Sequence, residues 1–112
     1  MLNQVVIVGR LAASPEIRET CHGNKVSTIV LEVDRNFKSS DGVYETDFIP
    51  CTLWRGIAET TAQYCEAGSL VGVKGRLQSR SYETKDGAKM FQSELIAEKV
   101  TFLGYQGQAK KE

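Results

Sequence analysis

No stretch of this sequence approaches the ~20 consecutive apolar residues that a membrane-spanning helix requires. The opening, MLNQVVIVGRL, is too short and too lightly charged for a secretory leader. The expected location is therefore cytoplasmic, and no membrane partner is expected. Paired cysteine spacing is also missing. Cys21, Cys51 and Cys65 are an odd set without a CxxC, which argues against a disulfide framework and fits a reducing compartment. His22 is the one histidine, and it sits beside Cys21 in a glycine-containing turn. With no second histidine it suggests a loop residue rather than a metal ligand, and it is a poor base for a Ser-His-Asp arrangement. No GxxxxGK[ST] is present to cradle a phosphate, and no carboxylates pair by spacing. Neither catalysis nor a metal or cofactor is expected.

An excess of positive charge is the last absence. The 14 Lys and Arg residues are balanced by 14 Asp and Glu. That balance counts weakly against a nucleic-acid partner. It does not exclude one, because basic side chains gathered on one stripe act locally.

What is present is a strand pattern in a chain of 112 residues, the size of one domain. Strands are expected over 3–11, 25–37, 44–54, 70–82 and 89–103. Period 2 puts Ile29, Leu31 and Val33 on one face of the second of these. Asp41-Gly42 and Asp86-Gly87 supply hairpin turns, since Asp-Gly readily takes positive backbone dihedrals. Over 57–67 the period changes: Ala58, Ala62 and Cys65 fall on one stripe beside Ile57 and Tyr64, which is helical spacing. Gly68 follows where a left-handed cap is expected. Three strands, a short helix and two strands is the chain order of the OB fold, an all-β, five-stranded Greek-key barrel. A β-sandwich ordinarily needs more strands. Residues 1–104 are expected to form this domain, and 105–112 a polar, flexible tail.

Strand parity then marks a surface. In 48–54 the odd positions Ile49, Cys51 and Leu53 read as core, which turns Phe48 and Trp54 outward. In 71–82, Val71, Val73 and Leu77 point one way, and Lys74, Arg76, Gln78, Arg80 and Tyr82 the other. Aromatic rings beside a cationic stripe suit single-stranded nucleic acid. Phosphates attract Lys and Arg, and unpaired bases stack on flat rings at about 1–3 kcal/mol each. Taken singly, an exposed Trp54 is equally explained by a protein contact, and a basic stripe by a solvated face. Phe37 shares the parity of Ile29, Leu31 and Val33, so a bulge or bend near Asp34–Asn36 is needed to swing it out.

Several segments together carry a family resemblance: MLNQVVIVGRL at 1–11, SPEIRET at 14–20, VDRNF at 33–37, DFIPCTLW at 47–54, GSLVGVKGRLQSRSY at 68–82 and SELIAEKVTFL at 93–103. In this order and spacing the chain resembles the bacterial-type single-stranded-DNA-binding proteins, phage-encoded relatives included. The resemblance implies an OB fold, a homotetramer, and sequence-independent binding of single-stranded DNA in replication, recombination and repair near the nucleoid. It places the family's stacking positions on Phe37, Phe48, Trp54 and Tyr82, and the strand's path on Arg76 and Arg80. Lys38, Arg55 and Lys74 follow as phosphate contacts. Around the helix, Gly56, Glu66 and Ala67 stand where the family usually carries lysines, so a shallower salt dependence is expected. Family members generally continue through a linker to an acidic tip ending in Pro-Phe, which recruits replication and repair proteins. Here the sequence stops at Gln108-Ala109-Lys110-Lys111-Glu112, so recruitment through such a tip is not expected. Two alternatives stand beside this reading: a dimeric OB protein of the primosomal type that also docks a helicase, and an OB module serving only as a protein scaffold.

Overall fold

A computed structural model of the protein describes residues 1–105. Six strands and one helix follow in the order β1 (Val5–Leu11), β2 (Arg18–Glu19), β3 (Lys25–Lys38), β4 (Tyr44–Trp54), α1 (Arg55–Tyr64), β5 (Ser69–Glu83) and β6 (Lys89–Tyr105). The tail expected over 105–112 thus begins at the last residue of β6, and the rest of it lies outside the described residues.

Five of the strands close a barrel in the order β1-β5-β6-β4-β3, and the two-residue β2 pairs only with the start of β3. Closure is made at two short seams. β1 meets β3 through Arg10↔Glu32 and Leu11↔Leu31. β4 meets β6 in parallel through Cys51↔Leu95 and Thr52↔Ile96. This is the OB barrel, with its helix between the third and fourth barrel strands. At Gly75 the backbones come too close for a side chain: a Cβ there would overlap the carbonyl of Ile96, where the β5–β6 register shifts.

The core follows strand parity. Leu31, Cys51, Leu53, Val71 and Val73 are fully buried, and Ile29, Leu11 and Leu95 nearly so. Burial pushes the Cys51 thiol up to about 12, so it behaves as a small apolar group. Parity fails where strands leave the barrel. Leu77, expected inside, is 49% exposed, because β5 beyond Arg76 and β6 before Glu94 form a hairpin standing out in solvent. Asn3 tethers the base of that hairpin: its Nδ2 donates to the Leu77 carbonyl at 2.8 Å and its Oδ1 accepts from the Leu77 N–H at 2.9 Å.

The helix runs over 55–64 rather than 57–67. Ala58 and Thr61 are its buried residues, Ala62 is only partly buried, and Tyr64 lies exposed against Phe102 with ring centroids 5.8 Å apart. The helix starts directly from β4 because Arg55 takes a left-handed φ of 55°, turning the chain sharply after Trp54. An L residue in that region costs ~1–2 kcal/mol. The helix closes at Cys65, whose N–H donates to the Thr61 carbonyl at 2.9 Å. Gly68 is not its cap. With φ of 92° it turns the chain into β5 and donates to Leu11 O at 2.9 Å.

Three hairpins share one loop design. In each, a Thr or Ser (Thr20, Ser39, Thr84) accepts at its carbonyl from a glycine three residues on (Gly23, Gly42, Gly87). Its own N–H donates to the carbonyl of the residue after that glycine, at 2.8–2.9 Å. Only the glycine has positive φ; the aspartates of both Asp-Gly pairs do not. These are three-residue loops of the type I turn plus left-handed glycine kind, rather than two-residue turns.

Candidate nucleic-acid interface

Two hairpins project from the barrel, β3–β4 and β5–β6, and the outer face of β4 lies between them. Alternation along β4 turns Phe48, Pro50 and Trp54 out while Cys51 and Leu53 enter the core. Phe48 is 61% exposed and Trp54 37%. Trp54 is the residue before Arg55, so the sharp turn into α1 ends the aromatic row. Tyr82, near the tip of β5, is 48% exposed.

Phe37 is 67% exposed. The β3–β4 register shifts between Asp34 and Lys38, the region where a bulge is needed to release Phe37 from the core. Three residues of β3, Arg35 to Phe37, stand against Glu45 alone between the pairs Asp34↔Thr46 and Lys38↔Tyr44.

The two outer faces are joined by one carboxylate. Arg80 Nη2 donates to Glu94 Oε1 at 2.6 Å, and Thr52 Oγ1 donates to Glu94 Oε2 at 3.1 Å. With Thr28, Pro50 and Gln92 these residues line a cleft of about 180 Å³ on the face that carries Phe48. Arg80 therefore faces β4, and Tyr82, two residues on, shares its side of the strand. Arg76 joins the same row through its 2.6 Å bond to Gln78 Oε1, and its Nε lies 3.4 Å from Glu98.

The other candidate cations are more dispersed. Lys38 Nζ lies 5.6 Å from the centroid of the Tyr44 ring at the tip of the β3–β4 hairpin. Arg55 Nε donates to Asn24 Oδ1 at 3.4 Å beside Trp54. Lys74 is exposed, but its ladder neighbours are Val6 on β1 and Lys99 on β6, within the barrel rather than on the projecting hairpin.

Sequence reasoning overlooked three features. Tyr44 has the even parity of Phe48 and Trp54 and is 60% exposed; parity extended to the start of β4 would have found it. The acids paired with Arg76 and Arg80 lie on β6, too far along the chain for any local signal. The third is an ion cluster in which Arg35 reaches Asp47 and Glu45 across the bulge. Arg35 holds the Asp47 carboxyl below its ordinary value, chiefly by hydrogen bonding. Among the described residues no cluster of three or more His, Cys, Asp or Glu could hold a metal ion. No helix among them is long and apolar enough to cross a membrane.

The larger hollows, about 260 and 510 Å³, lie elsewhere, between α1 and β6. Stacking needs exposed rings rather than a cavity, so the candidate interface is the aromatic face.

Known proteins share much of this sequence. The model of the single-strand binding protein family matches residues 2–103. The chain is 48% identical over 103 residues to single-stranded DNA-binding protein B of Bacillus subtilis, covering 92% of this chain and 91% of that protein. It is 50% identical over 103 residues to single-stranded DNA-binding protein A of the same organism and 48% identical to single-stranded DNA-binding protein 3 of Listeria innocua. These matches again cover 92% of the chain, but only 60% and 64% of those longer relatives. A match over nearly the whole barrel, at this identity, means that the chain belongs to the single-strand binding protein family.

Proposed function

We propose that this protein binds single-stranded DNA without sequence preference, by stacking bases on Phe37, Phe48, Trp54 and Tyr82 and holding phosphates with Arg76, Arg80, Lys38, Arg55 and Lys74. The observation that carries the reading is the exposure of Phe48, Trp54 and Tyr82 around the β4 outer face, with Arg80 between the two hairpins. Exposed apolar rings gathered on one face, unlike scattered ones, mark a contact surface. Every base has a π-face, so such a surface accepts any sequence. Tyr44 extends the aromatic row towards the hairpin tip.

Binding of this kind needs no chemistry. Stacking and phosphate contacts of this geometry exist only with the unpaired strand, so mass action draws hairpins and frayed duplex towards it. The role that follows is to coat and protect strands exposed in replication, recombination and repair, in the cytoplasm at the nucleoid.

Self-association into a homotetramer belongs to the same reading. The pairing of β1 with β3 covers only Arg10 and Leu11, while Val6 and Val8 are exposed on its outer face. Val8 and Leu103 flank Gly72, making an apolar patch beside a largely uncovered strand edge. Such an edge is a template on which another chain can pair. Light scattering that gave a dimer would favour the primosomal type.

Titration of Trp54 fluorescence with oligo(dT) tests the reading directly. Strong quenching is expected, and Phe48→Ala, Trp54→Ala and Tyr82→Ala combined should remove most of the affinity, followed by fluorescence anisotropy of labelled oligo(dT). Unquenched emission, or a triple variant that binds as tightly as the parent, would overturn it and leave the scaffold alternative.

A further inference from the structure

We propose that Arg35 is the positioning residue of the interface: its fork on Asp47 pins the β3 bulge and so sets where the ring of Phe37 stands. The inference rests on the DNA-binding reading above and adds to it a residue that touches no DNA.

A bulge is a place where pairing is lost. Arg35, Asn36 and Phe37 share Glu45 as the one residue between the flanking ladder pairs. The segment lies beyond the barrel, where Asp34 to Lys38 are all exposed, so no core packing holds it. In a half-buried strand, burial fixes register; in an exposed one, register is weakly specified. The extra residues are therefore free to migrate along β3 unless something else fixes them.

The fixing contact is present and is of the strong, directional kind. Arg35 Nε lies 3.1 Å from Asp47 Oδ2 and Nη2 lies 2.8 Å from Asp47 Oδ1, a two-pronged arrangement. Nη1 donates to Glu45 Oε1 at 3.0 Å. One guanidinium thus spans the partner residue of the bulge and the residue two positions further along β4. On the neighbouring ladder pair, Thr46 Oγ1 donates to Asp34 Oδ1 at 2.8 Å. The Thr46–Asp34 tie lies immediately before the register break, Arg35 is the first residue within it, and Phe37 lies two residues past Arg35. Two carboxylates neutralise Arg35 on the side of β4 opposite Phe48, which makes it a poor phosphate ligand.

Asp47→Asn separates this role from simple electrostatics. Removing an acid near DNA should tighten binding if charge alone matters. If the fork positions Phe37, the same change should weaken binding to oligo(dT) about five- to tenfold, the lower end of one lost base stack. Arg35→Gln and Arg35→Lys should match it, because lysine keeps the charge but cannot make the fork. In a Phe37→Ala background all three should have little further effect, and the slope of log affinity against log salt should stay unchanged. Tighter binding by Asp47→Asn overturns the proposal. So does Arg35→Gln acting additively with Phe37→Ala and with a shallower salt slope, which would make Arg35 a phosphate contact. Unaltered affinity in all three variants overturns it as well. Trp54 lies at the far end of β4 and reports independently: if the parent protein fails to quench with oligo(dT), the DNA-binding reading itself has failed. Circular dichroism of each variant confirms that the barrel is intact, and Arg35→Lys provides the mildest substitution for that comparison.

Discussion

Arg80 and Glu94 face each other across the β5–β6 hairpin at 2.6 Å, on the surface where the strand of DNA is proposed to run. The Glu94 carboxylate is the more sheltered partner and also accepts from Thr52, so it braces the hairpin against β4. Arg76 has its own acid in Glu98 at 3.4 Å. The two arginines of the basic stripe along β5 are thus compensated, and stacking carries correspondingly more of the proposed binding.

Releasing one of those charges should be measurable. Glu94→Gln leaves Arg80 with an uncompensated charge. Each additional phosphate neutralised on a single strand steepens the slope of log affinity against log salt by about 0.7. The variant should bind oligo(dT) more tightly at low salt, with a slope steeper by about that amount. An unchanged or shallower slope would show that Arg80 already meets phosphate with its ion pair intact.

The region around α1 should respond in the same sense. Its surface presents exposed Gly56, Glu66 and Ala67, and Lys25 is occupied by Glu59 at 2.9 Å. Glu66→Lys and Ala67→Lys together should steepen the salt dependence if DNA crosses this surface. Parallel titrations of the double variant and the parent check it, and coincident slopes would place the strand's path elsewhere.

Acid should loosen the β3–β4 hairpin. Asp47 is lowered from 3.8 chiefly by the hydrogen bonds of Arg35, while Arg35 stays charged throughout. A depressed carboxylate contributes stability above its unfolded value and loses it as pH falls through its folded value. Thermal unfolding of Asp47→Asn should therefore lie below the parent near neutral pH, and the gap should close as pH drops below about 4. A gap independent of pH would mean that the ion pair contributes nothing.

Thr61 offers a stability test away from the interface. Its side chain is fully buried, and its hydroxyl has no hydrogen-bond partner among the described residues. Valine keeps the shape and removes the desolvated oxygen. Thr61→Val should be neutral or stabilising, by up to about 1 kcal/mol in urea unfolding, with DNA affinity unchanged. Clear destabilisation would reveal a partner for that hydroxyl.

Val8 tests the assembly. Placing a charge in the patch of Val6, Val8 and Leu103 opposes its burial against another chain. Val8→Asp should shift the mass measured by light scattering towards a smaller species while leaving the far-ultraviolet circular dichroism intact. An unaltered mass would locate the subunit contact on another face.

Much of this was legible from period alone. Outward Phe48 and Trp54 follow from Cys51 and Leu53 being core, because alternation is a property of any extended strand. The order of strands and helix follows from the change of period at Ile57. Parity misled at Leu77 because it says which side a residue faces and not whether anything lies there. It also missed the true start of the helix, since no composition signal marks the left-handed turn at Arg55. Thr61 replaced Ala62 as the buried helix residue because the helix sets its face by how it caps the barrel end, which hydrophobicity does not encode.

The sequence by itself determined the order of strands and helix along the chain, the inward rows and the exposed aromatic row of β4, since these rest on local alternation and turn chemistry. Tertiary structure alone decided which acids neutralise Arg76 and Arg80, where the β3 bulge falls, and that Arg35 closes on Asp47. Those relationships join residues on different strands, and charge pairing depends on distance in space, which only closure of the barrel creates.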